Sequence, residues 1–142
     1  DHGNRQTSLA RLGETLKALT ANGDPDVLVL GDLNTMGCKD CAPEVTAAEE
    51  VAALDASAAA AHAKRVDADL MCTHYYGSRP GLLDHVLAHG AGVRAPTARA
   101  EVRGACGDLA CRPLRRGEHP ASLEHLSDHC PLVVEIPATH TK

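Results

Sequence analysis

Asp32, Asn34, Asp84 and His129 are the residues whose types and settings point to chemistry, because each lies in or beside an apolar run. Asp32 and Asn34 close the stretch Val27-Leu28-Val29-Leu30-Gly31-Asp32-Leu33-Asn34, Asp84 lies within Leu82-Leu83-Asp84-His85-Val86-Leu87, and His129 precedes Cys130-Pro131-Leu132-Val133-Val134. A carboxylate inside an apolar run is costly unless it is hydrogen-bonded, so Asp84 requires a partner. His129 is the candidate: an Asp that accepts the Nδ1 proton of an imidazole fixes its tautomer and leaves Nε2 for a substrate or a water. Asp and Asn oxygens are hard ligands suited to Mg2+ or Ca2+, ions commonly held by few carboxylates together with a substrate phosphate. An Asp, Asn and His cluster around such an ion is suited to phosphate-ester hydrolysis. Two plainer readings stand beside it: a hydrogen-bonded network that only supports the fold, and an Asx-type turn in which Asp32 and Asn34 satisfy backbone amides.

Three strands must position these groups. Val27 to Leu30 is a run of aliphatic residues after the breaker Gly23-Asp24-Pro25, and reads as a short strand buried on both faces. Gly31 permits a sharp exit, and Asp32 and Asn34 share a parity, so in extended chain both point the same way. Leu82 to Leu87 reads as a second buried strand with Asp84 in its middle and His85 turned away from the site; the run after Cys130 reads as a third. Residues 69–76 suit a short strand on which His74, Tyr75 and Tyr76 line a groove or pack partly into the core. Residues 77–81 read as a turn, 98–102 as an edge strand, and 104–120 as a long Gly, Pro and Arg loop. Residues 1–5 read as loop. Leu9, Leu12, Leu16 and Leu19 then form one stripe of a helix that stops at Ala21-Asn22-Gly23. Thr46-Ala47-Ala48-Glu49 has the form of a capping box, and Val51, Leu54, Ala58 and Ala61 continue that helix. His62, His89, His119, His125 and His140 read as solvated.

Composition bounds the rest. A chain of 142 residues suits one domain. With no Trp, no Phe and two Tyr, its core must come from small aliphatic side chains, which implies modest stability. A net charge of −5 argues against a generic polyanion-binding surface, so a phosphate substrate requires a metal or local basic groups such as Lys64-Arg65 or Arg112, Arg115 and Arg116, which otherwise read as solvated charge. No apolar run is long enough for a transmembrane helix. Six Cys permit disulfides and hence a secreted or periplasmic setting. Cys38, Cys41, Cys106 and Cys111 lie in loops and suit either disulfides or a zinc site, whereas Cys72 and Cys130 adjoin strands. A thioredoxin-like role for Cys38 and Cys41 is disfavoured, since no helix start is placed to lower a thiol pKa.

Gly31-Asp32-Leu33-Asn34, then Leu83-Asp84-His85-Val86, then Ser127-Asp128-His129-Cys130-Pro131-Leu132 resemble, in the right order, the later motifs of the endonuclease/exonuclease/phosphatase superfamily, whose fold is that of deoxyribonuclease I. The resemblance runs from about Arg5 to Ile136. It implies an α/β fold, part of a four-layer sandwich with a mixed, mainly antiparallel sheet and flanking helices, of which residues 1–142 would form the carboxyl-terminal portion. By that resemblance Asp32 positions or deprotonates the attacking water, Asn34 supports it and the phosphate, and His129 contacts the scissile phosphate while Asp84 orients it. Asp128 would bind the metal, Mg2+ with Ca2+ or Mn2+ as alternatives, together with a Glu from an amino-terminal half that this chain does not match. Cys130 would be a buried strand thiol. His2 stands near a strand His of the family but lacks the aliphatic strand before it, and reads as an ordinary loop residue. The implied function is divalent-metal-dependent hydrolysis of a phosphoester in nucleic acid, a phospholipid head group or a small phosphate ester, weak without the missing half. The alternative is a non-catalytic extracellular binding module of the same fold, its loops stapled by disulfides or zinc.

Overall fold

A computed structural model describes residues 2–23, 26–90 and 99–135. In chain order they form α1 (His2–Ala21), β1 (Asp26–Asp32), α2 (Ala47–Ala60), β2 (Lys64–Arg65), β3 (His74–Tyr76), β4 (Arg79–Gly81), β5 (Asp84–Gly90), β6 (Ala100–Val102), α3 (Gly104–Asp108), α4 (Ala121–His125) and β7 (Leu132–Val134). The protein is mixed α/β with small antiparallel sheets: β1-β5-β2, the hairpin β3-β4, and the pair β6-β7. One isolated bridge, Ala68 with Ala100, is parallel.

The leucine stripe of α1 does what its spacing predicts. Leu16 is buried, and Leu9 and Leu12 pack with Leu54, Ala58, Ala61, Ala63 and Leu87 into a cluster that also receives Val27 and Val29. The helix α2 starts where the capping box places it: Thr46 Oγ1 accepts the Glu49 amide at 3.2 Å and the Thr46 amide donates to Glu49 Oε2 at 2.7 Å. A Cβ at Gly13 would lie 2.4 Å from Ser57 Oγ, so a side chain there would require the Ser57 hydroxyl to turn to another rotamer. The helices thus cover one face of the β1-β5 pair.

The other face of β1 is open. Burial alternates along the strand, and Leu28 and Leu30 are 41% and 56% exposed, which corrects the expectation of a strand buried on both faces. An aliphatic run alone cannot distinguish a strand covered on two sides from one covered on one, because the difference lies in what packs above it.

Two further clusters hold the rest of the chain. Val66, Val86, Ala88 and Ala100 form one; Cys72, Tyr75, Val102, Ala105, Cys106 and Cys130 form the other. In the second cluster the shortage of aromatic area is met by covalent links, Cys72 to Cys111 and Cys106 to Cys130. A third disulfide, Cys38 to Cys41, closes a short loop.

Several boundaries differ from the sequence expectation. The helix α1 begins at His2, not after residue 5, because its polar first turn is anchored at a distance: Arg5 Nη2 and His2 Nδ1 lie 3.3 and 3.0 Å from Glu50 Oε1 on α2. His2 is therefore a helical residue and not a loop one. The strand expected over residues 69–76 is reduced to β3, residues 77–81 form a hairpin that includes β4, and a short helix, α3, interrupts the long loop. The strand β5 starts at Asp84, so that carboxylate stands at the strand mouth and not within it. Of the residues read from sequence, Asp1, Asp24, Pro25, Ala98, Ile136 and His140 lie outside the described ones.

Candidate active site

The register of β1 against β5 sets Asp32 opposite Asp84, so two carboxylates from distant parts of the sequence meet at one end of the sheet. Beyond Asp32 the chain turns at Asn34, whose φ of 52° is in the left-handed region that Asn tolerates better than most residues. Asp32 Oδ1 accepts the Asn34 amide at 2.8 Å and Oδ2 accepts Asn34 Nδ2 at 2.9 Å. The two side chains are thus brought together by an Asx-type turn and not by shared parity in extended chain.

Thr73, fully buried, holds the mouth of β5. Its hydroxyl oxygen accepts the amides of Leu83 at 3.1 Å and Asp84 at 2.9 Å, and its carbonyl accepts the Cys130 amide at 2.7 Å. The Tyr75 amide in turn donates to the Asp128 carbonyl at 2.9 Å, so the segment carrying Asp128 and His129 is laced to β3. The Cys106 to Cys130 disulfide fixes the same segment from its other side. Cys130 is accordingly a half-cystine, which corrects its reading as a buried thiol. The disulfides also remove the zinc alternative: Cys38, Cys41, Cys106 and Cys111 are all oxidised, and a sulfur in a disulfide is no thiolate ligand. His2 lies near Cys38 and Cys41, but for that reason the group offers a metal only one nitrogen.

His129 Nδ1 stands 2.9 Å from Asp84 Oδ2. A carboxylate accepts, so the proton belongs on Nδ1 and Nε2 is turned to the cleft, 3.9 Å from Asp32 Oδ2. Burial alone would lower the His129 pKa; the hydrogen bond to Asp84 and the negative charges of Asp84, Asp32 and Asp128 outweigh it and raise the pKa above the ordinary histidine value. His74 packs beside it, with ring centroids 4.7 Å apart, and His74 Nε2 lies 3.3 Å from Asp128 Oδ2. One atom from each of His74, Asp128 and His129 falls within 4.8 Å of the others. No glutamate joins this group among the described residues. Glu50 is buried elsewhere, bound to Arg5, His2 and, at 2.7 Å, the Gly37 amide.

His85 faces away from Asp84, as parity requires. Its Nε2 lies 2.7 Å from Thr35 Oγ1, and that hydroxyl gives its one proton to the Leu82 carbonyl at 2.7 Å, so His85 Nε2 must be the donor. Burial, with help from the Arg65 charge, holds the His85 pKa down to about 4.

Two cavities adjoin the carboxylates. One of about 560 Å³ is lined by Asp32, Asn34, Arg5, Ser8 and Met36; a smaller one of about 230 Å³ is lined by Asp84, Gly31 and Leu30. A third, about 590 Å³ around Val51, Arg65 and Met71, touches none of the four candidate residues.

Asp32, Asn34, Asp84, Asp128 and His129 therefore gather at one rim. Comparison with protein-family models, curated proteins and solved structures returned no match. Sequence reasoning passed over Thr73 and gave His74 no more than a lining role. The signal was present in Thr73-His74, two polar residues following the buried Cys72, but the partner of His74 is 54 residues away in sequence, and the Thr73 carbonyl reaches Cys130, 57 residues away.

Proposed function

We propose that this chain carries the reaction centre of a divalent-metal-dependent phosphoester hydrolase of the endonuclease/exonuclease/phosphatase type. The observation that carries this reading is the 2.9 Å contact of Asp84 Oδ2 with His129 Nδ1, which leaves Nε2 beside Asp32 at the same rim. Asp32 is the group that orients the attacking water and accepts its proton, and Asn34, bound to Asp32, holds the carboxylate and meets the phosphate. His129, whose protonated form its acidic neighbours favour, donates from Nε2 when protonated to a phosphoryl oxygen and offsets the negative charge that develops there. Asp84 acts through His129, as the residue that sets its tautomer and direction.

The donor set fits a divalent cation: the Asp128 carboxylate is 63% exposed and has a ring nitrogen as its neighbour. Such an ion, when bound, supplies Lewis-acid polarisation of the phosphoryl oxygen. The substrate would approach through the cavity of about 560 Å³ beside Asp32 and Asn34. The open face bearing Leu28 and Leu30 suits cover by a further layer, which in this reading is the amino-terminal half that brings the second metal ligand. Three disulfides fit a secreted enzyme.

The test is hydrolysis of bis-p-nitrophenyl phosphate with Mg2+ or Mn2+, by this chain and by a version extended upstream. Metal-dependent turnover that falls at least about 100-fold in Asp32→Ala and His129→Ala, with the fold retained, supports the reading. Turnover indifferent to both substitutions, or none in either form, contradicts it and leaves a binding module.

A further inference from the structure

The hydrolase reading uses His74 only as a neighbour of Asp128, yet among the described histidines outside the Asp84 pair it is the best placed for a role of its own. Its side chain is 7% exposed, its Nε2 is aimed outward at Asp128 Oδ2 at 3.3 Å, and its ring is packed on that of His129. Its backbone bridges that of His129, so strand β3 and the segment at 128–130 fix the two rings relative to one another. Burying an imidazole only to face a carboxylate that is largely in water contributes little as an ion pair. A nitrogen and a carboxylate oxygen converging on one point from two rigid segments are, by contrast, half of a metal-binding set, with room for water and phosphate in the remaining positions.

We propose that His74 Nε2 and Asp128 together hold the divalent ion, and that the imidazole turns the preference of the site from Mg2+ toward zinc. The proposal deepens the hydrolase reading, since it concerns the metal of the same rim, but binding can be measured without turnover. The chemical reason is ligand type: Mg2+ takes oxygen donors and parts reluctantly with water, whereas imidazole nitrogen suits Zn2+ and raises its affinity along the Irving–Williams order. His129 keeps its Nδ1 on Asp84 and is a neighbour of the ion, not its main ligand.

Isothermal titration of the metal-free oxidised protein with Zn2+ and with Mg2+ tests this. One Zn2+ should bind at least about 100-fold more tightly than Mg2+. His74→Gln should weaken Zn2+ at least about tenfold while leaving Mg2+ within about twofold, and Asp128→Asn, at an exposed position that does not threaten folding, should weaken both ions. Zn2+ should also shift the His74 ring resonances in the unaltered protein. Absence of Zn2+ binding, or Zn2+ affinity unchanged in folded His74→Gln or in Asp128→Asn, overturns the proposal. Zn2+ bound through His74 without phosphoester turnover would sink the hydrolase reading alone. Metal-dependent turnover with Zn2+ affinity unaffected by His74→Gln would sink only the assignment of His74.

Discussion

The Thr73 hydroxyl oxygen accepts the Asp84 backbone amide at 2.9 Å, and this bond fixes where β5 begins. The same oxygen takes the Leu83 amide at 3.1 Å, while the Thr73 carbonyl takes Cys130. One buried residue thus sets the relative position of the two chain segments that supply the Asp84 and His129 side chains. Thr73→Val keeps the shape and removes the acceptor, which leaves two amides without a partner. The expected loss is roughly 2–4 kcal/mol of stability, against under about 1 kcal/mol for Thr73→Ser, read from guanidinium unfolding curves. Equal stability of the valine variant and the parent would show that these amides find water instead.

Acid should weaken the fold through His85. In the unfolded chain this ring takes up a proton as pH falls through 6.5, whereas in the fold, where burial comes first and the Arg65 charge second, it does so only near 4. Between those values the unfolded state binds more protons, so stability is full above pH 6.5 and is lost as pH falls toward 4. The contribution is roughly 3 kcal/mol across that window. Unfolding free energies at pH 7 and pH 4.5 should differ more in the parent than in His85→Gln; the same slope in both would refute the assignment.

Reduction should act unevenly. In the chain-entropy account a disulfide stabilises more as its loop lengthens, and the separations here are 39 for Cys72 to Cys111, 24 for Cys106 to Cys130 and 3 for Cys38 to Cys41. Pairwise replacement by Ala should cost roughly 4, 3.5 and under 2 kcal/mol in that order. The first two pairs also hold the cluster beneath His74 and His129, so their loss should broaden those ring resonances in NMR spectra. Loss of Cys38 to Cys41 should leave the resonances unchanged. An inverted order of stabilities would contradict the account.

The sequence made the Asp84 to His129 pairing legible through a single physical demand, that a carboxylate beside an apolar run finds a hydrogen-bond donor. The capping box at Thr46 and Glu49 and the leucine stripe of α1 were legible because they are local, repeating at helical spacing. What escaped was long-range. The start of α1 depends on Glu50, which is 45 residues from Arg5. Cys130 reads as a strand thiol by the resemblance, and nothing near it in sequence names Cys106 as its partner. The exposed edge of Leu28 and Leu30 escaped because four aliphatic residues in a row have no polar alternation to mark an open face. His74 was visible as a residue but not as a neighbour of Asp128, since that relation exists only once β3 and the 128–130 segment pair.

The central claim is that Asp84 orients His129 and favours its protonated form at a rim shared with Asp32. A pH titration of the His129 ring, followed by nitrogen-15 NMR in the parent and in Asp84→Asn, tests it most directly. The parent ring should titrate above the ordinary histidine value with the proton on Nδ1 in the neutral form, and Asp84→Asn should bring the pKa down, because burial then meets less opposition. A parent pKa at or below the ordinary value, or one that Asp84→Asn does not move, would contradict the account.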